Sequence, residues 1–177
     1  MKRLSFMAIV LLLCFTVNAQ EPTTWESKKT YFGITGGFKQ DFFTSSPYNF
    51  NGLNLYGGFF VERKLSEKFS LQLEILHTKT QGSGFNTVEF PLFLKYKLGE
   101  KLSVYAGVQL NASYKDNYSD PIYSQKPGNF AFNIGLQYDL SERWYLFARY
   151  IHNPKRQTDL NQSVRMNTFL VGVGYRF

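Results

Sequence analysis

The chain has 177 residues, a length suited to one domain, and its 20 Lys and Arg against 13 Asp and Glu give a formal charge of +7. That basic excess is small and scattered, so no nucleic-acid partner is expected from it. Aromatic residues make up 18% of the chain, and no apolar run reaches the roughly 18 to 20 residues that a spanning helix needs.

The first segment is an address rather than a structural element. Lys2 and Arg3 precede an almost wholly apolar run from Leu4 to Val17, and Val17, Asn18 and Ala19 put small residues where a signal peptidase cuts. Residues 1–19 are expected to be a cleaved signal peptide, with Gln20 opening the mature chain; its removal takes the charges of Lys2 and Arg3 with it. The run is too short for a membrane anchor. A lipoprotein cut before Cys14 would need a smaller residue than Leu13. Cys14 is the single cysteine, so the mature chain should hold no thiol, disulfide or cysteine-bound metal, and no cofactor is expected.

From Thr30 onward apolar and polar residues alternate with a period of two, the mark of strands with one apolar face. Phe32, Ile34, Gly36, Phe38 and Phe42 share one face of the first segment, with Lys39 and Asp41 on the other. Leu53, Leu55, Phe59 and Val61 then oppose Asn54, Tyr56, Gly58, Phe60 and Glu62, and Phe69, Leu71, Leu73 and Ile75 oppose Ser70, Gln72 and Glu74. In the fourth segment, 88–98, Val88, Phe90, Leu92, Leu94 and Tyr96 stand against Glu89, Pro91, Phe93, Lys95 and Lys97. Leu102 to Asn111, Phe130 to Asp139 and Trp144 to Tyr150 repeat the pattern. The last segment, Asn167 to Phe177, places Phe169, Val171, Val173, Tyr175 and Phe177 on one face and Thr168, Leu170, Gly172, Gly174 and Arg176 on the other. The count is eight, an even number, as closed bacterial barrels require.

The connections alternate as well. Leu65-Ser66-Glu67-Lys68-Phe69, Leu98-Gly99-Glu100-Lys101-Leu102 and Leu140-Ser141-Glu142-Arg143-Trp144 read as one tight turn used three times. The links 44–52, 79–86, 115–128 and 153–166 are longer, polar and rich in turn formers. Short turns at one end and long loops at the other predict an all-β, eight-stranded antiparallel up-and-down transmembrane β-barrel over residues 30–177.

Alternation also suits a soluble ligand-binding barrel with its apolar face inward. Size separates the two, because eight strands enclose only enough room for their own side chains or one small ligand. Gly58, Gly107, Ala131, Gly135, Gly172 and Gly174 lie on the polar face, so the small residues belong inside and the bulky apolar ones outside. Lys39, Asp41, Glu62, Glu74, Glu89, Lys95, Lys97, Asp139, Arg149 and Arg176 then form an interior charge network. A basic one turned outward would cost about 2 to 4 kcal/mol at the bilayer midplane. Phe60, Phe93, Tyr105, Tyr145 and Phe147 also point inward and should fill the lumen, which argues against a solute pore. Trp144, Tyr96 and Tyr138 are placed for an interfacial aromatic belt.

The segment Val88 to Leu98, VEFPLFLKYKL, resembles the EIPLLLKY strand of the PorT-type outer-membrane β-barrel family of Bacteroidetes. At the level of architecture the chain is similar to the OmpX and OmpA barrels. The final strand, Phe169, Val171, Val173, Tyr175 and Phe177, resembles the terminal strand of bacterial outer-membrane barrels, whose assembly machinery recognises the closing aromatic. The resemblance implies an outer-membrane location, with both termini and segment 20–29 periplasmic. Pro91 lacks the N–H that a ladder wants, so a local bulge or a missing hydrogen bond is expected there.

Function then falls to the loops. Tyr118 and Tyr123 in the third loop are candidates for a protein or glycan contact, and Lys155, Arg156 and Arg165 in the fourth for lipopolysaccharide phosphates. The expected partners are outer-membrane lipid and lipopolysaccharide, the barrel-assembly machinery, and a protein or glycan at the loops. An outer-membrane lipid A deacylase would need a His beside a Ser. His77 and His152 are followed by Thr78 and Asn153, so no catalysis is expected. The other readings are a lipid-modifying enzyme, an accessory part of a protein secretion system, which PorT itself suggests, and a soluble periplasmic ligand-binding barrel.

Overall fold

A computed structural model describes residues 29–44, 53–79, 85–115, 129–154, 156–157 and 163–177. Every strand of the barrel follows the two-residue period. They are β1 (Thr30–Thr44), β2 (Leu53–Lys64), β3 (Phe69–Lys79), β4 (Phe85–Lys97), β5 (Leu102–Lys115), β6 (Asn129–Asp139), β7 (Trp144–His152) and β9 (Ser163–Arg176). Each pairs antiparallel with its neighbours in chain order, and β9 returns to β1 from Gly33↔Arg176 to Thr44↔Arg165. That seam closes the sheet into an eight-stranded barrel and leaves no edge.

One element was not legible in the sequence. Arg156–Gln157 form a two-residue strand, β8, paired with Ser163 and Val164 at the start of β9 in a small ribbon apart from the main sheet. Arg165, expected in a loop, belongs to β9 and pairs with Thr44 at the seam.

The three tight turns share one hydrogen-bond pattern. The N–H groups of Leu65 and Ser66 both donate to Phe69 O, those of Leu98 and Gly99 to Leu102 O, and those of Leu140 and Ser141 to Trp144 O, over 2.9–3.2 Å. Ser66 Oγ accepts from Phe69 N at 3.1 Å and Ser141 Oγ from Trp144 N at 3.0 Å. These bonds satisfy the turn backbone locally, so each turn works as a self-contained unit.

The faces divide as the alternation predicts. Phe59 is 68% exposed and its neighbour Phe60 2%, and the same inversion runs round the barrel through Phe38, Ile75, Phe132, Ile134 and Leu136 on the outside. Bulky apolar side chains cover the exterior, while the buried interior holds Lys39, Glu62, Glu74, Glu89, Lys95 and Arg149. At Pro91 the β3–β4 ladder runs from Leu73↔Leu92 directly to Leu76↔Glu89 in unchanged register, so two pairings are missing and no residue is inserted. The expected defect is thus a gap and not a bulge. On its other side Pro91 keeps its pairing with Gln109.

The inward rings are seated on glycines. Phe60 faces Gly33 and Tyr56 faces Gly37 directly across β1 and β2; Phe93 faces Gly107, Tyr105 faces Gly135, Phe147 faces Gly172 and Tyr145 faces Gly174. A Cβ at Gly174 would overlap the Tyr145 ring, and one at Gly135 the Tyr105 ring. Each large ring thus has a residue without a Cβ directly across the strand pair, and a narrow lumen can hold six of them. Replacing Gly174 with Val should cost about 1 to 3 kcal/mol through overpacking. Adding Tyr145→Ala should recover part of that loss in urea unfolding in lipid vesicles, whereas additive losses would show that the ring and the glycine act independently.

Candidate functional site

The interior is organised in three tiers from the loop end to the turn end, each tying together strands that are not neighbours. At the loop end Lys39 of β1 forms an ion pair with Glu89 of β4. Glu89 also accepts from Gln109 Nε2 at 2.9 Å and Thr78 Oγ1 at 3.4 Å, while Asp41 accepts from Thr168 at 2.5 Å and Asn54 at 3.2 Å.

At mid-height Arg149 of β7 reaches across the lumen to Glu74 of β3. Its Nη1 and Nη2 each donate to one carboxylate oxygen at 3.0 Å, a bidentate pairing that fits the planar guanidinium. Gln72 Nε2 donates to the same carboxylate at 2.6 Å. The guanidinium carbon lies 4.2 Å from the Phe93 ring centroid, 5.2 Å from Phe147 and 5.5 Å from Tyr105. Arg149 is 2% exposed and fills the middle of the barrel.

At the turn end Glu62 accepts from Ser70 Oγ at 2.7 Å, Lys95 Nζ at 3.3 Å and Arg176 Nε at 3.4 Å. Arg176 Nη2 continues to Asp139 at 3.1 Å, and Lys95 to Gln137 Oε1 at 2.7 Å. Both cations lie over the Tyr145 ring. Among the described residues four interior cations thus meet five carboxylates, Asp41, Glu62, Glu74, Glu89 and Asp139, and each ion has a charged or polar partner.

Nine of the ten residues assigned to the interior charge network lie in it. Lys97 does not: the alternation aims it inward, but it is the last residue of β4, where the strand leaves the barrel, and its side chain is exposed at the turn rim. Phe169, Val171, Val173, Tyr175 and Phe177 lie on the outer face as expected, with the Tyr175 ring tilted against Trp144 and edge-to-face with Phe177. Tyr118, Tyr123 and Lys155 lie outside the described residues, as do the side chains of Arg156 and Arg165. Sequence reasoning passed over the amides Gln72, Gln109 and Gln137, which bridge the charges, and Tyr56 as a lumen ring. Their inward parity was visible; their partners are set by register across strands.

Both histidines lie on the outer face. His77 on β3 and His152 on β7 are exposed on the outer face with three strands between them, and His152 Nδ1 lies 3.0 Å from Asn167 Oδ1. Among the described residues no group of three or more His, Cys, Asp or Glu is gathered to hold a metal ion.

The Glu74–Arg149 pair carries the mid-lumen. Glu74→Gln leaves a buried guanidinium uncompensated and should cost about 3 to 5 kcal/mol in urea unfolding in vesicles. The double variant Glu74→Leu with Arg149→Met should lose much less, since it removes both charges; an equal or larger loss would contradict this assignment.

Residues 7–177 match the family described as outer membrane protein beta-barrel domain. Solved structures share the fold at low identity. Neisserial surface protein A aligns with a TM-score of 0.56 at 14% identity, over 84% of this chain and 97% of that one. Ail, the attachment invasion locus protein of Yersinia pestis, in a complex with the heparin analogue sucrose octasulfate, aligns with a TM-score of 0.54 at 15% identity, over 84% and 99%. A de novo designed transmembrane β-barrel aligns at 0.50 and 14% identity, over 82% and 95%. No curated protein matches the sequence.

Proposed function

The chain belongs to the outer membrane protein beta-barrel family, and from that premise we propose that it is a surface-interaction barrel, a rigid stalk that presents its long loops outside the cell. The observation that carries this proposal is the filled lumen: a bidentate Arg149–Glu74 pair packed among three rings occupies the place where a conduit would run. A plugged barrel has its outer loops left for recognition. With the tight turns and both termini in the periplasm, the longer links face outward, and the closing strand from Phe169 to Phe177 serves as the assembly signal.

Within those loops Tyr118 and Tyr123 supply amphipathic rings for a protein or glycan. Lys155, Arg156 and Arg165 supply cations for the phosphates of lipopolysaccharide. Catalysis has no part in this proposal. The PorT-type resemblance of segment 88–98 adds a second setting, service to a secretion system, in which the same loops would meet a protein.

The test is binding of purified lipopolysaccharide to the detergent-extracted protein. Lys155→Gln, Arg156→Gln and Arg165→Gln together should weaken it about tenfold or more, at roughly 1 kcal/mol per charge at an anionic surface, with the circular dichroism unchanged. Unchanged affinity would overturn the assignment of these three cations. His77→Ala and His152→Ala should leave the lipid A mass spectrum of the host cells unaltered; a lost or gained acyl chain would make the protein an enzyme.

A further inference from the structure

The outer face is not uniformly bulky. Where β5, β6, β7 and β9 run side by side near the turn end, the small side chain of Ala148 lies among Leu102, Leu136, Tyr138, Leu146 and Val171 and leaves a groove of about 450 Å³ open to the surroundings. This is the lipid-facing side, so the groove is a recess in the wall that a hydrocarbon chain meets.

Two basic residues, Lys101 and Arg143, directly precede the strands β5 and β7 that line the groove. Lys101 directly precedes Leu102 of β5 and is held beside the end of β6, its carbonyl accepting from Asp139 N at 2.8 Å. Arg143 directly precedes Trp144 of β7, on the other side of β6. Its Nη1 donates to Tyr175 Oη at 3.2 Å, which draws the guanidinium toward the outer face, and the Tyr175 ring is tilted against Trp144 at 4.8 Å. Trp and Tyr at this height mark the headgroup level. Of the nearby carboxylates, Asp139 is turned to Arg176 and Gln137, while Glu100 and Glu142 directly precede Lys101 and Arg143 in the turns.

We propose that this recess is a binding site for one anionic phospholipid of the leaflet at the turn end, its acyl chain lying along the groove over Ala148 and its phosphate held by Lys101 and Arg143. Charge complementarity selects the occupant. A second copy inserted in the same direction through a two-fold contact would bring four like cations together at one height, which opposes it. The remaining turn carries Lys68 at the equivalent position, beside the Phe69 and Tyr96 rings on β3 and β4 and away from the strands that line the groove.

Native mass spectrometry of the detergent-extracted full protein, titrated with dioleoylphosphatidylglycerol or dioleoylphosphatidylcholine, tests this. One phosphatidylglycerol should bind about tenfold or more tightly than phosphatidylcholine, given roughly 1 kcal/mol for each cation at an anionic headgroup. Lys101→Gln with Arg143→Gln should abolish that preference. Ala148→Phe, which fills the recess from the lipid side, should weaken both lipids, and Lys68→Gln should change neither. Equal retention of the two lipids would overturn the proposal. So would a loss on Lys68→Gln as large as that of the double variant, which would mean diffuse attraction to the rim, or a dimer abolished by Ala148→Phe, which would give the groove to a second copy.

Discussion

A sheet whose outer face meets hydrocarbon can leave no backbone N–H or C=O unpaired at an edge, because an unsatisfied group there costs several kcal/mol. The β1–β9 seam answers that constraint, and its pairing from Gly33↔Arg176 to Thr44↔Arg165 joins the first strand to the last. Closure in turn fixes the strand number, sends every second side chain inward and limits the lumen to what eight strands enclose. Among the described residues the ladder is interrupted opposite Pro91, between Leu92 and Glu89, and the gap is bounded by intact pairs on both sides. A gap in unchanged register lets a residue without an N–H sit in a closed barrel without turning its neighbours round.

What fills the lumen follows from that limit. Six rings could not share so narrow a space if their cross-strand partners carried side chains, and the partners are Gly33, Gly37, Gly107, Gly135, Gly172 and Gly174. The charges obey a second rule. Taking an ion out of water costs several kcal/mol unless geometry and hydrogen bonds compensate, and here the ion pairs join strands that are not neighbours, β1 to β4, β3 to β7, β2 to β9 and β6 to β9, while Asp41 is held by Thr168 and Asn54 from the strands on either side. The interior therefore braces the wall between strands that do not pair with one another.

Much of this could be read directly from the residues. Period-two alternation placed Phe59 outside and Phe60 inside, and the repeated Leu-Ser/Gly-Glu-Lys/Arg segments identified the turns, because both depend only on neighbours in sequence. What depends on register was hidden: the seating of Tyr145 on Gly174 and the reach of Arg149 to Glu74 join residues 29 and 75 positions apart. Lys97 shows where parity fails: it ends β4 with its side chain exposed at the rim, whereas Asp139 and Arg176, which also end strands, are drawn into the network by their pairing with each other. β8 was invisible because two residues are too few for a periodic signal. The candidate loop contacts Tyr118, Tyr123 and Lys155 fall in segments where polar turn formers set no repeating pattern.

An apolar exterior around a braced polar core is the claim on which the proposed display role and the lipid site both stand. The measurement that tests it most directly is the mobility of the protein from detergent-extracted outer membranes on a denaturing gel, with and without boiling. A closed barrel held by its seam and its cross-lumen ion pairs should resist the detergent and migrate differently until boiled. Recovery of the protein in osmotic-shock fluid, with one mobility before and after heating, would contradict the inside-out assignment and make the apolar face the lining of a soluble cavity.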